Sequence, residues 1–393
     1  MKSHKFLSVA ILVVLAMVIL LGRNRSISAH AIVSKGIENE NDTLLNVIIQ
    51  KEKDYKNLSI YFLSGRHELD HVGYQILSEA LEQKSATIKE TGEVNELSVT
   101  NASQHYIFIS SGDIVKGGKQ DRTIGVDLII SPHEKNVRLE SFCVESGRWS
   151  QRGNEEVFLF SVSEEVLPSR KLKMAARKNK DQSEVWGNIS EQQDRLSMNV
   201  SSLKGSDIDV RSVESTSSLQ LTLENDDLDS IRNDYKVQFV SVPGENDEII
   251  GFAYAVNGEL YGADIYNSAA LFRKMWSRLL NSVIVEAITD YKGDSVSFNP
   301  PQNILEKLAS GYSGDKIEED INAATQSVTY ERNEMIIFET YDRIHHDWLH
   351  KSFLMKDTTR AEENYEIDFR RRDYRNRNNL QQRIEDTDTG QQE

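Results

Sequence analysis

Residues 249–265 read IIGFAYAV-NG-ELYGADI, and this stretch decides the class of fold. Two alternating apolar runs flank Asn257-Gly258, a pair that tolerates positive φ and so closes a tight turn between antiparallel strands. Directly after it, Asn267 or Ser268 can cap a helix. That helix carries Leu271, Phe272, Met275, Trp276, Leu279, Leu280, Val283, Ile284, Ala287 and Ile288, a broad apolar stripe that belongs in a core. A hairpin running straight into a core helix, among many short strands, predicts an α+β fold. Its core is a mixed, mostly antiparallel sheet with packed helices.

Upstream, residues 58–63, 87–90, 97–99, 106–109, 123–130, 139–144 and 157–162 read as strands, and 73–84 as a helix with Ile76, Leu77, Ala80 and Leu81 on one face. Val185, Ile189 and Leu196 mark another helix. Leu228, Ile231 and Tyr235 mark a short one, ahead of a strand at 237–242. The basic segment 170–180 reads as a solvated loop, or else a docking patch for an acidic partner. Downstream, 302–308 and 316–324 read as modest helices, and 328–332, 335–341 and 348–355 as a closing β-meander.

The 393 residues carry a formal net charge of -16, which argues against a nucleic-acid partner because such binders need a positive footprint. At the N-terminus, Lys2 and Lys5 precede an apolar run from Phe6 to Leu21, and Ala29-His30-Ala31 offers a small-residue cleavage site. Residues 1–31 therefore read as a signal peptide, or as an anchor that stays in the membrane if uncleaved. Either way the body is expected to be extracytoplasmic: secreted, periplasmic or held at the membrane. Residues 41–356 read as one large α+β domain. Residues 357–393, charged and poor in apolar side chains, read as a disordered tail. Cys143 is the sole cysteine, so no internal disulfide is expected.

Two glycine-hinged polar clusters flank the strands 123–130 and 139–144. The first is Gly117-Gly118-Lys119-Gln120-Asp121-Arg122; the second is Cys143-Val144-Glu145-Ser146-Gly147-Arg148-Trp149. The first fails as a phosphate loop, because its glycine spacing is wrong and Gln120 stands where Ser or Thr would hold magnesium. Pairing the two strands across Pro132 brings Arg122 and Glu145 to one end of a hairpin. Lys119, Gln120, Arg122, Glu145, Arg148 and Trp149 are thus the candidate ligand-binding residues, suited to an anionic ligand or a protein partner. The rival account is an Arg–carboxylate lock using Asp113, Asp121, Asp127 and Glu145.

The function expected from this is a non-enzymatic binding or scaffold module. The alternative is a hydrolase-like enzyme acting on an anionic substrate through Glu145 or Asp121, with Lys119, Arg122 and Arg148 stabilising negative charge. No cofactor is expected. Cys143 alternates with Ser141 on a strand, which reads as a small buried side chain rather than a nucleophile. His345, His346, Asp347 and His350 are the densest metal-like group, but their spacing fits no metal motif and they read as scattered surface histidines.

The paired clusters, with Val185-Trp186 and the Gly262-Ala263-Asp264-Ile265-Tyr266 turn into the Phe272–Trp276 helix, resemble the bacterial ARG and Rhodanese-Phosphatase-superfamily-associated protein domain family over residues 58–289. The family name implies association with ADP-ribosylglycohydrolases and phosphatases in other proteins. It implies no activity of its own, and it assigns no catalytic residues to carry over.

Overall fold

Asn257 and Gly258 take φ of 54° and 79°, and the strands they join, Ile249–Val256 and Glu259–Tyr266, pair antiparallel as the turn requires. The computed structural model in which this is seen describes residues 45–357 apart from 149, 154, 156, 157, 247 and 294–300. The N-terminal apolar run and the C-terminal tail, on which the export and tail expectations fall, lie outside the described residues. Among those residues no helix is long and apolar enough to cross a membrane.

The hairpin lies in an eight-stranded antiparallel sheet. Its order is Val47–Tyr55, Leu58–Gly65, Ile249–Val256, Glu259–Tyr266, Asp347–Met355, Met335–Asp342, Thr325–Glu331 and Asp315–Asp320. Every residue of Ile249–Val256 is buried, because the sheet is covered on both faces. On one face Phe62, Phe252 and Tyr254 pack against Phe272, Trp276 and Ile284 of the helix Ala269–Thr289. On the other face Leu63, Ile250 and Ala253 pack against Ile304 and Leu308 of the helix Ile304–Ser310. Ser268 accepts a hydrogen bond from Leu271 N and so caps the long helix.

A second sheet runs Phe160–Val166, Asp113–Gly117, Arg122–Ile124, Val137–Cys143, Glu96–Asn101 and Ala86–Glu90. Its two edges meet: Lys89 pairs with Leu159, and Glu90 N–H donates to Phe158 O (3.3 Å). The sheet thereby closes into a small barrel, which leaves no long edge unpaired. Three short strands, Gln75–Ile76, Ile107–Ile109 and Leu128–Ile130, link barrel and large sheet. The Gln75–Ile76 pairing is parallel within an otherwise antiparallel fold. The α+β class and the mostly antiparallel core are as the sequence predicts.

Several local expectations are corrected. Residues 237–242 are not a strand: 237–239 close the helix Asp226–Phe239, and 242 begins a short helix, Val242–Glu245. Leu228, Ile231, Tyr235 and Phe239 form the buried stripe of that helix, while the β-branched Val237 faces solvent at 69% exposure. Residues 316–324 are not a helix: Asp315–Asp320 is an exposed edge strand. Charge along it mimics an amphipathic pattern and protects the edge from further pairing. Segment 170–180 is not a solvated loop. It forms the helix Arg170–Lys173 and a wider π-type turn at Met174–Asn179, with Arg170 and Arg177 buried in ion pairs. The run 123–130 is split between barrel and linking sheet around Val126 and Asp127.

Candidate functional site

Side chains alternate across a strand. Val115, Ile124, Leu139, Ile88, Leu97 and Val99 share the apolar interior of the barrel. Alternation therefore aims Arg122, Ser141, Cys143 and Glu90 at the same interior, and the register confirms it, with Arg122 opposite Cys143 and Ile124 opposite Ser141. The barrel filling changes from apolar to charged at one mouth. Arg122 is 1% exposed; its guanidinium donates to Cys143 Sγ and lies 3.8 Å from Glu90 Oε1. Burial pushes the Cys143 thiol up, against the pull of Arg122, so this cysteine is no ready nucleophile.

The Gly117–Asp121 turn folds over this mouth. Gly118 has φ of 58°, and a Cβ there would lie 2.5 Å from the Phe160 ring and 2.7 Å from Glu90 Oε1. Lys119 N–H donates to Glu90 Oε1 (3.2 Å), while the Lys119 residue is exposed. Arg122 and Glu145 do come to one end of a hairpin, since Val144 N–H donates to Asp121 O (3.0 Å) just beyond the Arg122–Cys143 pair.

Outside the mouth lies a ring of ion pairs. Asp121, fully buried, accepts from Arg152 Nη1 (2.8 Å), Arg152 Nη2 (3.1 Å) and Gly117 N (3.0 Å), and Arg148 Nη2 lies 3.8 Å away. Arg148 Nε donates to Glu145 Oε2 (2.7 Å), and Arg152 also reaches Glu155 (2.8 Å). Burial opposes the charge on Arg152, but its bonds to Asp121 and Glu155 hold its pKa above the ordinary value. The structure thus brings together Gln120, Asp121, Arg122, Glu145 and Arg148, and adds Arg152, Glu90 and Glu155. Trp149 lies outside the described residues. Asp113 and Asp127, proposed for the same lock, sit elsewhere.

Within this group several buried atoms have no hydrogen-bond partner among the described residues: both amide atoms of Gln120, Arg122 Nε, Ser141 Oγ, Glu145 Oε1 and Glu155 Oε2. Gln120 has no exposed surface at all. Buried polar groups in folded proteins are nearly always paired, and each one left unmade costs about 1–3 kcal/mol. Such a concentration of unpaired buried groups sets this mouth apart from the apolar filling of the barrel.

The second buried network was not legible. His350, expected at the surface, is 2% exposed; its Nδ1 donates to Asp127 Oδ2 (2.8 Å) and its Nε2 to Asp264 Oδ1 (3.1 Å). Tyr266 stacks on the ring at 4.3 Å. Asp127 also accepts from Arg177 Nη2 (3.1 Å), Thr340 Oγ1 (2.6 Å) and Ser111 N (2.6 Å). With a carboxylate on each nitrogen, the imidazole is held as a cation and cannot serve as a base. The group welds the large sheet to the linking strands. Among the described residues no His, Cys, Asp and Glu group is arranged to hold a metal ion.

A family model described as the ARG and Rhodanese-Phosphatase-superfamily-associated Protein domain, ARPP-1, matches residues 46–354. The chain belongs to this family. No curated protein and no solved structure gives a significant match. The ARPP-1 match covers the large sheet as well as the barrel, so it runs beyond the 58–289 stretch over which the sequence shows the resemblance.

Proposed function

We propose that this ARPP-1 chain is a non-enzymatic binding module whose barrel mouth receives a polar group of a ligand or partner. The observation that carries the reading is Gln120, a terminal amide with no exposed surface and no hydrogen-bond partner on either atom. The group it suits offers donors and acceptors together. Three guanidinium groups, of Arg122, Arg148 and Arg152, already face four carboxylates, of Glu90, Asp121, Glu145 and Glu155, so a bare anion has little net attraction there. Both oxygens of Asp121 are taken by Arg152, which weighs against its acting as a general base. The test is Gln120→Leu, read by thermal denaturation with and without a panel of small polar compounds. The substitution is expected to leave the free protein as stable or about 1 kcal/mol more stable, since it removes an unpaired buried amide. It should also abolish the stabilisation that any binding compound gives the parent chain. A loss above about 2 kcal/mol in the free protein would mean the amide is structural.

For localisation we propose export, on the strength of Lys2, Lys5 and the apolar run after them. A reporter active only in the cytoplasm, fused after Lys356, is expected to stay silent in intact cells. Strong reporter activity would end the export reading.

A further inference from the structure

Near the C-terminal end of the long helix, where its backbone N–H donates to Glu286, Arg170 presents a different anomaly. It is 8% exposed, yet its side chain donates no hydrogen bond to any described residue. Its guanidinium lies over the Tyr261 ring, 3.4 Å from the centroid. The nearest carboxylate is Glu286, with Oε1 4.0 Å from Arg170 Nε, and that carboxylate already accepts from Tyr254 OH (2.8 Å) and Arg170 N (3.0 Å). Guanidinium offers five donors in a planar fork matched to carboxylate and phosphate, and here none of them meets a protein acceptor among the described residues.

Arg170 lines a cleft of about 60 Å³ together with Ser169, Lys171, Gln192, Arg195 and Thr289. Gln192 is 3% exposed and its Oε1 has no partner, although its Nε2 reaches Thr289 Oγ1 (3.4 Å). Two other cations of the cleft are committed. Arg195 pairs with Asp290 (2.7 Å), and Lys171 pairs with Glu191 (3.2 Å) and Asp357 (3.4 Å). Among the described wall residues, Arg170 keeps a fork with no hydrogen-bond acceptor and Gln192 an amide oxygen with no donor. Five carboxylates, of Glu191, Glu259, Glu286, Asp290 and Asp357, line the cleft against four cations, of Arg170, Lys171, Arg195 and Lys292, so a simple anion has little net attraction where a molecule that also carries an amine is matched.

We propose that this cleft binds a small amphoteric molecule, its oxyanion on the Arg170 fork and its amino N–H on Gln192 Oε1. The oxyanion is a carboxylate, as in an amino acid, or a phosphate, as in an aminoalkyl phosphate. The site is separate from the barrel mouth and does not depend on the reading given to it. The test is thermal denaturation of the full chain with glycine, O-phosphoethanolamine, acetate, inorganic phosphate or methylammonium at matched ionic strength. Glycine or O-phosphoethanolamine is expected to raise Tm by about 2–4 °C at a hundredfold excess over its Kd, and whichever acts identifies the oxyanion. The one-ended probes should give less, and Arg170→Gln should remove the response. Because Arg170→Gln can fail to fold, Gln192→Leu is the second variant: it keeps the bulk and removes the acceptor for the amino group, so it too should remove the response to the two-ended probes. Plain anions acting as strongly as the two-ended probes, no shift with any probe, or a shift that survives in a folded variant would each overturn the proposal.

Discussion

Asp127→Ala is expected to lower folding stability by about 3–5 kcal/mol, because it leaves two buried cations without their shared partner. Arg177 and His350 both address Asp127 Oδ2, and Thr340 and Ser111 N–H lose an acceptor in the same step. Nothing nearby replaces the charge for Arg177, since Asp264 is engaged by the other side of His350. Chemical denaturation reads the change, and a loss under about 1 kcal/mol would show that water reaches the joint and that the burial is only nominal.

The same network sets a pH window whose two limbs have opposite sign. Burial alone raises the Asp127 carboxyl, but Arg177 and then His350 outweigh it and hold its pKa well below the ordinary aspartate value. The Asp264 carboxyl is likewise lowered, burial being outweighed by the His350 hydrogen bond and the charge of Lys173. Their stabilisation is present above the unfolded value and is lost as pH falls through the folded one. Burial lowers the His350 pKa, but Asp127 and Asp264 more than reverse this and raise it above 6.5. That contribution is full below 6.5 and is lost as pH rises through the folded value. The joint is therefore strongest from about pH 4 to 6.5 and weakens on each side.

Local periodicity explains which parts were legible. The Asn257-Gly258 turn, the Ser268 cap and the stripe of the long helix each involve residues within a few positions of one another, so their chemistry is written in one window of sequence. Arg122, Glu145 and Arg148 were placed together because the strands they end pair directly, Arg122 opposite Cys143, although the chain between them leaves the barrel for the linking sheet. His350 escaped because its partner Asp127 lies 223 residues away, and alternation cannot say which face of a strand another sheet will cover. Glu90 escaped for the same reason: it joins the mouth only because the first and last barrel strands meet. Arg152 lay beside the second cluster, but nothing local announces its bidentate grip on Asp121. The helix at 226–239 was cut short because Val237 and Val240 favour strands by type, and tertiary burial of the opposite face overrode that preference.

The Asp121 pair is the second large effect, and it separates a lock from a binding surface within one constellation. Asp121→Ala removes the carboxylate that holds both Nη atoms of Arg152, the Gly117 N–H and, at longer range, Arg148. Glu145 Oε2 then faces Arg148 at 2.7 Å and Arg152 at 3.9 Å, and cannot balance both buried charges; Glu155 meets Arg152 from the more exposed side. The expected loss is about 3–5 kcal/mol. Arg152→Ala should cost a similar amount, because it strands a carboxylate with no exposed surface. Arg148→Ala should cost a similar amount, because Glu145, which has no exposed surface, is then left with Arg152 at 3.9 Å alone among the described cations. Measured together, Asp121→Ala/Arg152→Ala should be less destabilised than the sum of its parts, the mark of two residues that act as one pair. A loss under about 1 kcal/mol for Arg148→Ala would show instead that water reaches Glu145 and that the ring is open at that corner. Equal losses make Arg148 as structural as Arg152, which leaves the unpaired atoms of the mouth, both of Gln120 among them, as what a partner could still engage.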